Sequence, residues 1–496
     1  MSNKNPNDRN NKAKEKIKEK KAKTIVIYGP PINQTTGLSK VIYFMAKALQ
    51  SAGHKVNTIG STYNDIQTSY DGIPIFPSFN CERCGRQNAG DYIGVEKMIN
   101  YINAFNPDVF LIVGDPYQFQ QYGFGNISLE KINNIKAMAY ITYDSEGIFC
   151  NEQLSKKKGR RDYLQICDKI ISMAGHTQKI LKEYEELDSE VVYAPVDTLA
   201  YAPINEEEKL KLRKKHNIPE KAFVAYYSGR NTMRKKTFIL LDALCEMCSK
   251  NDDFYGFLNY ASIDKDYPDH LNPLDFISRV MKKKYNKDFL SEGRIIFVER
   301  GVLGDGNIGE TENSEYYRLS DLYVTTTGGE GLGLTALESM SCGVPALVPD
   351  NSTGKEVLGD KVPFDDYDKS TTVYPFTIRE GGILMDAPIE QWIEYGLKQN
   401  YTTPEITYEA IKYMYDHPEL IKKLAVTGRK RVLKVFDLLT YREKWLNIIN
   451  TTKKKEKDFK EVDFDTEMID QIANQTDVAN VQAQSLPNIK NDKENN

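Results

Sequence analysis

Between residues 24 and 385 the chain alternates short apolar runs, four to six residues long, with amphipathic stretches. The runs fall at residues 24–28 (TIVIY), 55–59 (KVNTI), 108–113 (DVFLIV), 137–142 (AMAYIT), 169–173 (KIISM) and 191–194 (VVYA), then at 223–227 (FVAYY), 254–258 (FYGFL), 294–298 (RIIFV), 322–325 (LYVT), 345–348 (PALV) and 382–385 (GILM). Most are non-alternating and end near Gly, Asp or Pro, the pattern of parallel strands buried on both faces. Helical spacing lies between them. Over residues 38–52, Leu38, Val41, Ile42, Met45, Ala46 and Leu49 recur three or four apart, which predicts one apolar helix face. Strand–helix alternation predicts an α/β fold with parallel sheets. Twelve runs exceed one sheet of ordinary width. They divide near residues 203–219, where a loop leads into a charged helix predicted over 206–215. Two Rossmann-like domains with a cleft between them are therefore expected, with ligands at the carboxyl ends of the strands.

Composition adds limits. The chain has 496 residues, 40% of them hydrophobic and 27% charged, ordinary for a soluble globular protein and enough for two to three domains. No apolar stretch reaches the roughly 18 residues that span a bilayer, and the N-terminus lacks the apolar core of a secretory signal. Seven thinly spread cysteines build no disulfide framework, so a reducing, cytoplasmic setting is expected. Residues 1–23 carry nine basic and three acidic residues, whereas residues 451–496 carry seven basic and ten acidic ones. Both ends read as disordered tails, 1–23 basic and 453–496 polar. The basic tail is a candidate for peripheral contact with an anionic membrane. The body between them is acidic, which argues against a nucleic-acid partner.

The segment richest in chemistry is residues 325–350, TTTGGEGLGLTALESMSCGVPALVPD. A strand ends, a turn with Gly328, Gly329, Gly331 and Gly333 follows, and a helix predicted from Leu334–Thr335 stops at Cys342–Gly343. Glycines let the backbone approach a ligand, and a helix N-terminus offers N–H groups and partial positive charge, a ready diphosphate site. Glu330 and Glu338, eight positions apart, add carboxylates, which accept vicinal hydroxyls side by side. A pure phosphate site has no use for two acids, but a site for a sugar attached to a nucleotide does.

This segment, E-G-L-G-L-T-A-L-E-S-M-S-C-G-V-P, resembles the E-x7-E signature of retaining GT-B glycosyltransferases of family 4, the glycosyl transferases group 1. The family pattern is E-G-F-G-L-P-x-x-E-A-M-A-C-G-x-P, and the departures at Leu332, Thr335, Ser339 and Ser341 are mild. The resemblance implies a GT-B fold with an N-terminal Rossmann-like acceptor domain (24–203), a C-terminal nucleotide-sugar domain (204–429) and a crossover helix (430–452) returning to the N-terminal domain. In the family a G-R-x4-K stretch contacts the donor diphosphate. Here Gly229-Arg230 and Lys235 match it within SGRNTMRKK, leaving Arg234 and Lys236 unassigned. A charge cluster without that match would read as a solvated face. The resemblance also implies that Glu338 holds the ribose hydroxyls, and that Glu330 with the backbone of Gly331, Leu332, Gly333, Leu334 and Thr335 holds the sugar and its developing charge.

Other strand ends face the same cleft. Gly37, in GPPINQTTGLSK, is expected to border the donor phosphate or the acceptor; the loop satisfies neither the Walker nor the G-x-G-x-x-G pattern. Asp144, after the run at 137–142, is the preferred polar contact near sugar and acceptor, and His176 is a weaker candidate. Glu356, in TGKEV, is expected to order its own loop. Cys81 and Cys84 form C-x-x-C without further ligands, and Asp264-Lys265-Asp266 stands several residues past its strand, so neither a metal nor a cofactor is expected. The sequence thus predicts a metal-independent, retaining glycosyltransferase with a nucleotide-diphosphate sugar donor. The acceptor, whether saccharide, lipid-linked or protein, stays open. So do two alternatives: a catalytically silent GT-B scaffold and a nucleotide-sugar epimerase of the same fold.

Overall fold

The computed structural model describes residues 22–61, 67–78, 95–115, 135–147, 164, 167–259, 272–298, 310–393 and 397–455. The chain up to Lys454 forms one compact unit. The basic tail up to residue 21, Cys81 and Cys84, Asp264 and Asp266, and the polar tail beyond Lys455 lie outside the described residues.

The first sheet holds β1 (Thr24–Gly29), β2 (Lys55–Gly60), β3 (Ser69–Tyr70), β4 (Ile73–Pro77), β5 (Val109–Gly114), β6 (Lys136–Ile141), β7 (Lys169–Ser172) and β8 (Glu190–Val191). Their order is β3-β4-β2-β1-β5-β6-β7-β8, parallel apart from the β3–β4 hairpin. Helices α1 (Gly37–Gln50), α2 (Val95–Phe105) and α3 (Gly175–Glu185) lie between the strands in sequence. Every residue of β5 is buried, as an apolar run in a parallel sheet requires. After α4 (Glu206–Lys215), whose start is fixed by an Asn205–Glu208 capping box, comes the second sheet. It comprises β9 (Phe223–Ser228), β10 (Phe254–Asn259), β11 (Ile295–Val298), β12 (Leu322–Val324), β13 (Ala346–Pro349), β14 (Phe376–Arg379) and β15 (Gly382–Met385). The order is β11-β10-β9-β12-β13-β15-β14, with β14 antiparallel to β15. Its helices include α5 (Thr237–Lys250), α6 (Glu310–Leu319), α7 (Leu334–Ser341) and α8 (Gly354–Leu358). The two sheets with their helices form the GT-B architecture.

All twelve apolar runs touch strands, but the run at 191–194 gives only its first residue to β8. Five strands escape the pattern. β4 (IPIFP) carries two prolines, and β14 alternates buried and half-buried positions at a sheet edge. β16 (Ile389–Ile393) and β17 (Leu397–Tyr401) form a separate antiparallel hairpin whose first strand is largely exposed, and β3 has two exposed residues.

The end of the chain also differs from expectation. The stretch read as one helix from Lys430 contains the end of α10 (Pro418–Val435), a break at Phe436–Asp437, and α11 (Leu438–Thr451), which follow α9 (Pro404–Asp416). At the break Val196 N–H bonds to Phe436 O at 2.8 Å. Asp437 caps α11 through Leu439 N–H. Trp445 of α11 is fully buried and meets Tyr140 of β6 edge-on at 5.0 Å, which fastens α11 to the first sheet.

Each sheet has its first strand in the middle. β1 lies between β2 and β5, and β9 between β10 and β12. At such switch points the loops leave in opposite directions and open a crevice. The loops after β1, β9 and β12 are those carrying Gly37, the basic cluster and the glycine-rich turn.

Candidate functional site

The glycine-rich turn leaves β12 and enters α7 at Gly333 (φ +85°), with no side chain capping the helix. A cavity at the turn is lined by Thr325, Thr327, Glu330, Thr335, Asn351 and Ser352, among others. Gly329 and Gly331 are required by what faces them. A Cβ on Gly329 would lie 1.8 Å from the Asp144 carbonyl oxygen, and one on Gly331 would lie 1.9 Å from Thr142 Oγ1. The turn is thus pressed against the loop that follows β6 of the first sheet. Gly37 completes the approach, since a Cβ there would be 3.4 Å from the Leu334 side chain.

The turn is braced from behind. Gly328 N–H bonds to Arg234 O at 2.7 Å, and Thr326 Oγ1 donates to Lys235 O at 3.2 Å. Asn351 Nδ2 bonds to Thr327 O at 2.8 Å and to Asn400 O of the hairpin at 2.7 Å. Glu330 N–H donates to Ser352 Oγ at 2.9 Å.

Four charges meet there. Arg234 Nε lies 2.9 Å from Asp144 Oδ2, and its Nη1 lies 3.3 Å from Glu330 Oε2. Lys235 Nζ bonds to Glu330 Oε1, and Arg234 Nη1 also donates to Gly329 O. Burial pushes the Glu330 carboxyl up, but Lys235 and then Arg234 more than offset it and hold the group at about 2. Burial lowers the Lys235 ammonium below the usual lysine range, against the pull of Glu330. Burial also disfavours the Arg234 guanidinium, yet Asp144 and Glu330 keep it firmly protonated. The structure therefore brings Glu330, Lys235 and Asp144 into one cluster. Arg230 stands exposed between β9 and the turn of helix at Met233–Lys235, and the guanidinium inside the cluster is that of Arg234. The sequence left Arg234 without a role; its place in a basic run directly after β9 was the available signal.

Glu338 sits apart from this cluster on α7, with 5% of its surface exposed. Its Oε1 accepts Lys40 Nζ at 2.8 Å. Its Oε2 accepts the Tyr317 hydroxyl at 3.0 Å and Asn313 Nδ2 at 3.4 Å. Lys40 also donates to the Tyr201 hydroxyl at 3.1 Å and lies 3.7 Å from Glu310. Burial opposes the Lys40 charge, but Glu338 holds the ammonium protonated. Lys40, Tyr317 and Asn313 were not singled out in the sequence. Lys40 stands with Tyr43 and Lys47 on the half-exposed face of α1, opposite the apolar one, so the hydrophobic pattern gave no sign of it.

Glu356 differs from expectation. Instead of ordering its own loop, its carboxylate accepts the N–H groups of Gly175 (2.7 Å) and His176 (2.5 Å). It thus caps α3 of the first sheet from α8 of the second, where a negative charge is favoured by the helix dipole. The His176 ring is turned towards Ser145 O, with Nε2 at 3.4 Å, and burial lowers its affinity for a proton. Among the described residues one group, Asp366, His417 and Glu419, brings candidate metal-ligand atoms within 4.8 Å of one another; none of the three belongs to the glycine-rich turn or the basic cluster.

Comparison with known proteins gives a consistent picture. Residues 299–368 match the family model described as glycosyl transferases group 1. The chain is 18% identical over 459 residues to alpha-monoglucosyldiacylglycerol synthase of Streptococcus pneumoniae, covering 83% of this chain and 96% of that protein. It is 27% identical over 193 residues to the lipopolysaccharide core biosynthesis mannosyltransferase LpsB of Rhizobium meliloti, 38% of this chain and 48% of that one. Among solved structures, sucrose-phosphate synthase from Thermosynechococcus elongatus matches with a TM-score of 0.60 at 14% identity, covering 92% of this chain and 100% of that one. Anabaena Alr3699/HepE in complex with UDP and glucose matches with a TM-score of 0.57 at 13% identity, covering 86% and 100%. The structural matches establish the GT-B fold, and the family-model match over residues 299–368 supports a group 1 glycosyltransferase.

Proposed function

We propose that the chain is a retaining, metal-independent glycosyltransferase that moves a sugar from a nucleotide-diphosphate sugar to an acceptor. The observation carrying this reading is the meeting, at the switch point of the second sheet, of an uncapped helix start, two cations and a carboxylate. We assign the diphosphate to Lys235 and to Arg230, with Gly37 at the border, and the sugar with its developing charge to the backbone N–H groups of Leu332–Leu334 beside Glu330. Arg234 adds a second guanidinium beside Lys235. Cations preorganised at a leaving group stabilise the charge that develops as the glycosidic bond breaks, which is the task a divalent metal would otherwise perform. Glu330 receives the sugar hydroxyls, Glu338 the ribose hydroxyls, and Asp144 faces the sugar from the acceptor side. Retention follows if the departing phosphate accepts the proton of the incoming acceptor hydroxyl on the same face.

The relatives guide the choice of substrates. A solved neighbour holds UDP and glucose, so uridine-diphosphate sugars are the first donors to test. The relative matched along most of its length is named for a glucosylated diacylglycerol, so a lipid acceptor is the first acceptor. Incubation with radiolabelled nucleotide-sugars separates transfer from interconversion, the epimerase outcome, and from binding without reaction, the scaffold outcome. Under transfer, Glu330→Ala and Lys235→Ala each slow the reaction at least about tenfold, the effect of losing roughly 1.4 kcal/mol of transition-state stabilisation. Wild-type rates in both variants remove these roles.

A further inference from the structure

The polar groups around Glu338 come from two sources. Tyr317 and Asn313 belong to α6 of the second sheet and move with Glu338. Lys40 belongs to α1 of the first sheet and reaches Oε1 from the opposite side of the cleft. A carboxylate has two oxygens and grips a pair of vicinal hydroxyls by presenting one lone pair from each. Here Oε1 is engaged by an ammonium at 2.8 Å, and Oε2 by a tyrosine hydroxyl and an amide. With Glu338 at 5% exposure, the arrangement has no approach for a diol while Lys40 is in place. The ammonium is itself well kept, since it also donates to the Tyr201 hydroxyl and lies near Glu310.

We propose that Lys40 is an affinity-determining residue of the donor site: its ammonium occupies the carboxylate of Glu338 and must be displaced by the ribose hydroxyls of an incoming nucleoside diphosphate. The inference rests on the assignment of Glu338 to ribose, and it adds an internal competitor to that site. Displacement couples ligand binding to movement of α1, because the lysine that gives way is carried by the first sheet. Removing the ammonium strengthens binding for two reasons. The competitor is gone, and the buried carboxylate, deprived of its counter-charge, gains more from two hydroxyl donors than it does in the wild type.

Isothermal titration of UDP, GDP and ADP into wild type, Lys40→Met and Lys40→Arg tests this. The expected result is binding at least about fivefold tighter in Lys40→Met and close to wild type in Lys40→Arg, which keeps the ion pair. In a Glu338→Gln background the ion pair is already lost, so adding Lys40→Met brings no such gain. Wild-type binding with equal or weaker binding in Lys40→Met overturns the proposal, and weaker binding makes Lys40 a direct ligand of the nucleotide. Binding in neither protein instead overturns the nucleotide assignment of the whole site. Binding in Lys40→Met alone supports the displaced-lysine reading. Circular dichroism checks folding, and Lys40→Ala, which likewise removes the donor to Glu338, replaces Lys40→Met if the latter fails to fold, with the same tighter binding expected.

Discussion

The carboxyl of Glu330 shows how far two cations reset an acid. In the unfolded chain it titrates near 4.5, and in the folded protein near 2, because Lys235 and Arg234 outweigh the penalty of burial. The folded value is depressed, so the linked stabilisation is complete above about pH 4.5 and is lost as pH falls towards 2. Glu330→Gln cannot lose a proton-linked term it does not have. Its urea-unfolding free energy is expected to decline less steeply than that of wild type between pH 4.5 and 2, even if the variant starts lower at pH 7 with Lys235 less well paired. Parallel pH profiles would show that the ion pair contributes nothing specific to the folded state. The sequence disclosed the acids and the basic run, because both stand in turns directly after strands. It did not disclose that Arg234 rather than Arg230 enters the cluster. That choice is made by the 3-10 turn at Met233–Lys235, which sets the direction of adjacent side chains and leaves no periodic trace.

Among the elements, those with both faces buried were legible and those at edges were not. β1, β5, β6 and β9 are continuous apolar runs because helices or other strands cover both sides. β14, β16 and β17 are polar or alternating because one face or one edge meets solvent. Contacts between elements distant in sequence were equally invisible, and the cap on α3 is the clearest case. Ala174 at the N-cap offers no side-chain hydrogen bond, so the sequence around α3 reads as an uncapped helix. The acceptor arrives from Glu356, about 180 residues later. Replacing it by Gln removes the charge and leaves one oxygen for two N–H donors. A loss of about 1 kcal/mol in stability is expected, together with faster hydrogen exchange at the amides of Gly175 and His176. Unchanged exchange at those two amides would mean that solvent serves the helix start equally well.

At the scale of the whole molecule, polar contacts from every side of the cleft join the two sheets: Arg234 to Asp144, Lys40 to Glu338, Glu356 to α3, and the β16–β17 hairpin to the loop after β6. The hairpin contact is the most strand-like of them. Lys398 and Glu146 exchange both backbone hydrogen bonds, at 2.9 and 2.8 Å. Their side chains pair at 2.8 Å, and Gln399 Nε2 donates to the Ser145 hydroxyl at 3.0 Å. Glu390 lies 3.3 Å from the same ammonium, so Lys398 separates two carboxylates. The side-chain pair is partly exposed and on its own contributes little. Reversing the charge does more than delete it, because Lys398→Glu sets three acids side by side at the point where the hairpin meets the first sheet. Repulsion of this kind weakens the bridge while leaving the Glu330 and Glu338 side chains and their partners unaltered. If the hairpin helps to hold the cleft shut, small-angle scattering of Lys398→Glu shows a larger radius of gyration than wild type at low salt. Raising the ionic strength, which screens exposed like charges over about 10 Å at 0.1 M, brings the two curves together. Superimposable curves at low salt would assign closure to the buried contact at Glu338 and the half-buried one at Asp144, and would leave the hairpin as a wall of the cleft rather than a fastening across it.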